Sequence, residues 1–242
     1  MSTDPGVHIG TAGWQVPKSV TEPTGTGSHL ERYARLFNAT EINTTFHRPH
    51  VPKTFERWAA MVPNDFRFAV KMSKSVTHER RLADIRPAQE FLNMVGALGG
   101  KLGPVLVQLP PSLAWSDQAS DFLSALREVY SGHVVLEARN SSWASPDALN
   151  ALKVNAIASV ATDPPLLTTE LQPGGHPDPV YFRLHGSPRI YWSSYSDEFL
   201  KALAVKVLEH SRNGQRVWVI FDNTAAGAGA QNALRLKKLL AH

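Results

Sequence analysis

Short apolar runs alternate with amphipathic stretches along the whole chain, and the alternation predicts strand and helix in turn. VHIGTAG reads as a strand. SHLERYARLF follows as a helix with Leu30, Tyr33, Ala34 and Phe37 on one stripe, and Ser28 with Glu31 three residues on is a capping-box signal at its start. TEINTTF reads as a second strand, whose period of two puts Ile42, Thr44 and Phe46 on one side and Glu41, Asn43 and Thr45 on the other. The helix PKTFERWAAM, the strand FRFAVKM, a helix around RPAQEFLNMVGAL, the strand PVLVQL and the helix DQASDFLSALREVY come next. HVVLEAR is a fifth strand, SPDALNALK a short helix and AIASVAT a sixth strand. PVYFRLH and RVWVIFD are the seventh and eighth, separated by SDEFLKALAVKVLEH with Leu200, Leu203, Ala204 and Val207 on one face. AQNALRLKKLL closes the chain, its late Lys residues suiting a helix C-terminus.

Eight strands that mostly alternate with helices imply a parallel sheet, and their number and the chain length fit a single-domain (β/α)8 barrel of the TIM type over residues 1–242. The sixth crossover departs from the pattern. DPPLLTTELQPGGHPD is too rich in Pro and Gly for a helix, so an irregular loop is expected after strand six. An open doubly wound sheet is the alternative, but no glycine fingerprint of the dinucleotide or P-loop type follows any strand.

Composition narrows the function classes. The chain has 242 residues, 43% hydrophobic and 19% charged, an ordinary balance for a globular protein. No run approaches the roughly 18 apolar residues of a membrane span, and MSTDPGVHIG lacks the basic and apolar regions of a signal peptide, so a cytoplasmic location is expected. With no cysteine, disulfides, thiolate metal sites and cysteine nucleophiles are excluded. The formal charge of +4 is spread over scattered Lys and Arg residues, a lean toward an anionic ligand that does not choose among phosphate esters, carboxylates and polynucleotides.

In a barrel the active site is built at the C-terminal strand ends. Here those ends carry Thr11 and Trp14; Asn43, Thr45, His47 and Arg48; Lys71; Gln108; Glu137 and Arg139; Asp163; Arg183 and His185; and Asp222 with Asn223. Glu137 and Arg139 are two apart and share a face, as do Arg183 and His185. Buried charge is too costly to leave unpaired, so these groups are expected to be paired, hydrogen-bonded or open to a ligand. Asn43 is expected to face the lumen near the mouth and Glu41 one layer deeper, as a counter-ion for a lumen Arg or Lys. Scaffold ion-pair networks also place charges inside barrels, so each residue alone stays open to a structural reading.

The same residues carry a resemblance to the domain-of-unknown-function 72 family, also called YecE-like proteins. IGTAGW (Ile9–Trp14), EINTTF (Glu41–Phe46), Trp58 before FRFAVK (Phe66–Lys71), Thr77–His78, VQLPPS (Val107–Ser112), EAR (Glu137–Arg139) with Ser142–Trp143, Asp163 and YFRLHG (Tyr181–Gly186) match it in order over nearly the full length. The resemblance implies a TIM-type barrel and adds His78 to the candidate ligand contacts; it names no reaction. The chain departs from the family at His47, where Tyr is usual, at Ala138, where Phe is usual, and at Asp222–Asn223, where Asn–Asn is favoured. The last change adds a negative charge at the mouth.

Three functional readings follow. The first is an enzyme acting on an anionic small molecule, phosphorylated or carboxylated, with Lys71, Arg139 and Arg183 holding the anion. Glu137, His185 and Asp163 are then the candidate catalytic groups, and Asn43, Gln108, Asp222, Asn223, Trp14 and His78 further ligand contacts. The turn NTAAGAGAQ, opening a helix after strand eight, is either a phosphate-binding turn or an ordinary loop. The second is a divalent-metal-dependent isomerase or phosphodiesterase-like enzyme using Glu137, Asp163, His185 and Asp222, against which stand Arg139 and Arg183 in the same layers. The third is a non-catalytic binder of nucleic acid or another ligand, using Trp14, Trp115, Trp143 and the run IYWSSY; scattered basicity gives no groove for it. A serine-hydrolase elbow is absent. The sequence names neither a cofactor nor an oligomeric state.

Overall fold

Alternation within each strand decides which residues meet inside the sheet and which meet the helices. In the computed structural model, which describes residues 6–18, 20–21, 24–167 and 170–241, the strands are β1 (Val7–Thr11), β2 (Ala39–Ile42), β3 (Arg67–Lys71), β4 (Leu102–Gln108), β5 (Val134–Glu137), β6 (Ile157–Ser159), β7 (Ala161–Asp163), β8 (Gly174–Gly175), β9 (Val180–Leu184) and β10 (Val217–Phe221). The helices are α1 (His29–Ala34), α2 (Thr44–His47), α3 (Pro52–Ala60), α4 (Arg86–Val95), α5 (Asp117–Val129), α6 (Pro146–Val154), α7 (Asp197–Arg212) and α8 (Ala228–Leu240). The capping box of Ser28 and Glu31 forms as expected, and Ser116, Ser145 and Ser196 cap α5, α6 and α7.

The strands lie in two sheets. β2-β3-β4-β5-β6 run parallel in chain order, and β1-β10-β9-β7 are parallel in the other sheet. β6 and β7 are halves of the sixth predicted strand, interrupted at Val160, so that strand passes from one sheet into the other. Among the described residues no helix stands between β7 and β9; β8 instead doubles back antiparallel on β6. The irregular crossover is therefore present as expected.

At the other junction, between β1 and β2, the backbone ladder is reduced to one bridge, Ala12 to Glu41. Three side chains replace the missing rungs. The Thr40 hydroxyl donates to the Thr11 carbonyl at 3.0 Å. Asn38 donates from Nδ2 to the Val7 carbonyl and accepts from the Ile9 N–H, both at 2.9 Å, as a backbone amide would. The buried Tyr33 hydroxyl accepts from the Thr11 N–H at 2.7 Å and donates to the Ala39 carbonyl at 3.0 Å. Burial pushes this phenol up to about 12, so it keeps its proton. Gly10 has no alternative here, because a Cβ would stand 1.9 Å from the Ala39 oxygen.

One face of the strands packs on the helices in a large apolar core that includes Phe68, Val107, Leu136, Phe182 and Phe221. The opposite, inner face is a second apolar cluster of Ala39, Ala69, Leu106, Val135, Tyr181 and Trp218 among others. Small residues from β2 and β3 stand against two large ones from β9 and β10, whose rings stack at 6.1 Å. Two residues further along each strand the inner face turns polar: Ala39 leads to Glu41, Ala69 to Lys71, Leu106 to Gln108, Val135 to Glu137, Tyr181 to Arg183 and Ile220 to Asp222.

The predicted second strand stops earlier than its alternation indicates. β2 ends at Ile42 and Thr44–His47 is a single helical turn, with the Thr45 hydroxyl 3.0 Å from the Ile42 carbonyl oxygen and 2.7 Å from that of Lys71. A side chain that satisfies backbone carbonyls locally competes with the ladder.

Replacing Tyr33 with Phe leaves a buried N–H and a buried carbonyl unpaired, so stability measured by urea unfolding is expected to fall by about 1–3 kcal/mol. An unchanged midpoint would mean that the β1–β2 junction does not depend on this hydroxyl.

Candidate functional site

The polar layer converges on Arg183. Its guanidinium is 1% exposed, and every nitrogen faces a carboxylate. Nε donates to both Glu41 oxygens at 3.1 and 3.2 Å, Nη2 to Glu41 Oε1 at 2.9 Å, and Nη1 to Glu137 Oε2 at 3.0 Å. Nη2 also lies 3.1 Å from Asp222 Oδ2. Below it the Tyr181 hydroxyl donates to Glu41 Oε2 at 2.7 Å, and the Glu41 charge together with burial pushes that phenol far above its usual range. Glu41 is thus the counter-ion of a lumen arginine.

His185 lies between two carboxylates. Its Nδ1 is 3.0 Å from Asp222 Oδ2, and its Nε2 is 3.5 Å from Glu137 Oε1, long for a hydrogen bond. Arg139 fixes the same Glu137 oxygen, donating from Nε at 3.0 Å and from Nη2 at 2.8 Å. Burial opposes charge on each of these groups, and the partners prevail. Arg183 holds Glu137 well below the usual carboxylate range and Asp222 below it as well. The Asp222 and Glu137 carboxylates hold the imidazole of His185 above its ordinary value, and Arg183 stays firmly charged.

A cavity of about 300 Å³ opens over this cluster, lined by Asn43, Thr44, Lys71, Arg183, Tyr191 and Asp222, with Phe46 and His47 beside them. Lys71, at the end of β3, has a different position from the arginines. Its ammonium makes no ion pair among the described residues and lies 4.2 Å over the Phe46 ring. Burial, then the charge of Arg183, lowers its proton affinity.

The structure brings most of the expected residues together at different depths. Asn43, Lys71, Arg183 and Asp222 line the cavity. Glu137 and His185 are buried beneath it, and Gln108 stands beside Glu137 in register, with its amide donating to the Leu109 carbonyl at 3.0 Å. Arg139 is partly buried at the edge of the cluster. His78 sits on a π-helical turn, Ser75–Glu79, with its ring edge-on to Phe46; burial and the charges of Lys71 and Arg139 lower its proton affinity.

Three residues lie elsewhere. Asp163 does not line the cavity; its backbone carbonyl accepts from the His185 N–H at 2.8 Å. The Asn223 amide is spent on scaffolding, donating to the Ser193 carbonyl at 2.8 Å and to Asn232 Oδ1 at 2.9 Å. Trp14 packs edge-on against Trp58 and borders a neighbouring cavity. Arg183, expected to hold an anion, is surrounded by three carboxylates of the protein itself. For the metal reading, no group of three His, Asp or Glu side chains among the described residues is arranged to hold an ion. The place where Glu41, Glu137 and Asp222 converge is filled by the guanidinium.

Thr44, Phe46 and Tyr191 line the cavity although strand-end reasoning passed over all three; the helical turn after β2 brings in the first two. Tyr191 sits at φ 69°, a left-handed conformation that costs a bulky residue energy. Its N–H donates to the His185 carbonyl at 2.5 Å, its own carbonyl accepts from the Ala225 N–H at 3.1 Å, and its ring stands edge-on over His185. The aromatic run IYWSSY was visible in the sequence, but no spacing rule says which of its rings turns inward.

Because the folded pKa of His185 is raised, the stability it contributes is fully present below about pH 6.5 and is lost as pH rises through the folded value. His50, His78 and His133 are shifted down and act in the opposite sense, so a difference measurement isolates His185. The gap in melting temperature between wild type and His185→Asn is expected to be wider near about pH 5.5 than near about pH 8.5. A gap that stays constant or widens with pH would contradict the raised proton affinity of His185.

Comparison with known proteins places this architecture. The family model described as "Protein of unknown function DUF72" matches residues 8–242. The UPF0759 protein YunF of Bacillus subtilis (strain 168) is 25% identical over 270 residues, covering 97% of this chain and 94% of the relative. A DUF72 family protein from Thermotoga maritima superposes with a TM-score of 0.84 at 29% identity, over 98% of this chain and 99% of that one. A xylose isomerase-like TIM barrel/4-hydroxyphenylpyruvate dioxygenase fusion protein matches at a TM-score of 0.53 and 16% identity, covering 87% of this chain and 39% of that one, which speaks to the fold alone. With a family match over almost every residue and the same architecture in a solved member, this chain belongs to the DUF72 family.

Proposed function

We propose that this protein is an enzyme acting on a small anionic molecule, a phosphate ester or a carboxylate, bound in the cavity above Arg183. The observation that carries the reading is the position of Lys71. Arg183, Arg139 and His185 each have carboxylate partners, whereas the Lys71 ammonium faces the cavity without one. A cation held in a partly buried place without an ion-pair partner of its own is a place where a ligand's anion is stabilised.

Asp222 is the carboxylate that both lines the cavity and contacts His185. With an imidazole of raised proton affinity behind it and a carboxylate facing the cavity, this pair suits proton transfer at a bound substrate. Asp222 makes the contact and His185 positions and recharges it. Glu137, sealed beneath and bonded to two arginines, faces the other ring nitrogen at 3.5 Å and adds negative charge beside the imidazole. Tyr191 covers His185 from the open side.

Thermal-shift screening against phosphorylated and carboxylated metabolites tests the reading. A stabilising hit is expected to lose its effect in Lys71→Met and to keep most of it in Lys71→Arg, while His185→Gln lowers turnover of that compound by about 10²–10⁴-fold. A hit that stabilises wild type and Lys71→Met equally would remove the anion assignment. Arg183→Met is unsuitable as a probe, since uncovering three buried carboxylates is expected to cost about 3–5 kcal/mol or more and to show as loss of cooperative unfolding.

A further inference from the structure

A second cavity of about 410 Å³ adjoins the first and is lined by Gly13, Trp14, Gln15, His29, Asn43 and Thr44. Asn43 and Thr44 border both spaces, so the two form one groove that runs from Lys71 to the indole of Trp14. The mouth alone has room for a small anion; the pair together has the size of a site for a larger metabolite. Trp14 is the main apolar wall of the second space, and its edge-on contact with Trp58, ring centres 5.0 Å apart, holds the indole in place. A fixed indole is a surface on which a planar ring stacks.

Asn43, at the junction, is chemically informative. It occupies the N-cap position of α2, where an Asn side chain ordinarily bonds a helix N–H, yet it makes no capping bond. Its Oδ1 is buried and has no hydrogen-bond partner. A ligand that offers an O–H between its anion and its ring would satisfy that acceptor.

Resting on the anion-binding reading above, we infer that the substrate is a ring-bearing phosphate ester of nucleotide size, with its phosphate at Lys71, a hydroxyl-bearing spacer at Asn43 and its ring against Trp14. Phosphate fits the first position better than carboxylate does, because a compact ammonium gains more from a doubly charged group. The ring then supplies the apolar contact that a simple sugar phosphate lacks.

Calorimetric titration with a nucleoside 5′-monophosphate, ribose 5-phosphate and the free nucleoside separates the contributions. Wild type is expected to bind the nucleotide about tenfold or more tightly than ribose 5-phosphate, the range of one aromatic stacking contact. Trp14→Ala should erase that advantage without weakening ribose 5-phosphate, and Trp14→Leu, which keeps bulk but removes the flat indole, should do the same if the alanine variant folds poorly. Lys71→Met should weaken both phosphates and leave the nucleoside unchanged. Equal affinity for nucleotide and ribose 5-phosphate in wild type would overturn the ring subsite while leaving the anion reading intact. No binding of either phosphate would overturn both.

Discussion

Everything at the mouth depends on one buried guanidinium. Arg183 is almost without solvent contact, and each of its three nitrogens meets a carboxylate from a different strand region: Glu41 on β2, Glu137 on β5 and Asp222 just after β10. Burial of that charge is tolerable only because the partners are all present, and their burial is tolerable only because it is. The cluster also has a mechanical meaning. Arg183 and Asp222 belong to the sheet of β1, β10, β9 and β7, whereas Glu41 and Glu137 belong to the sheet of β2 to β6. The ion pairs therefore join the two sheets across the interior, which the backbone ladders do not do. His185 and Arg139 add further links to the same carboxylates.

This arrangement separates charge that builds from charge that is left for use. The arginines and the acids largely neutralise one another below the cavity. Besides the edge of the neutralised Arg183, what reaches the cavity is an ammonium over an aromatic ring and one carboxylate backed by an imidazole. A site built on loops alone would lose such a difference in proton affinity to solvent; here the apolar layer of Tyr181, Trp218 and Leu106 lies immediately beneath the charges.

Much of the layout was legible in the sequence because side chains alternate along a strand, here with one register shift early in β4 that lies before the polar layer. Glu41, Lys71, Gln108, Glu137, Arg183 and Asp222 each stand two residues beyond an apolar inner-face residue, so assigning the strands was enough to put them on one face. Counting partners was not possible from spacing. That three acids would surround Arg183 and none would pair with Lys71 is a fact of register between strands far apart in the chain. Asn43 reached the cavity by a route that alternation does not describe, since β2 ends one residue before it and a helical turn carries it there. Asn223 and Asp163 sat at strand ends like the others, but each is out of phase with the inner face. Asp163 is in register with Leu184 and not with Arg183, and Asn223 is one residue beyond Asp222. Tyr191 depends on a left-handed backbone position inside a loop, which composition does not reveal.

The junction of β1 and β2 has a consequence for how the chain tolerates change. Along an ordinary ladder the rungs are backbone atoms, and almost any amino acid supplies them. Where Asn38, Tyr33 and Thr40 stand in for those rungs, the wall is held by chemistry specific to three side chains, with Gly10 needed to let them close. Sequence drift that is harmless elsewhere in the sheet becomes costly at these four positions, none of which lines the cavity over Arg183, so invariance there among relatives would report architecture and not catalysis.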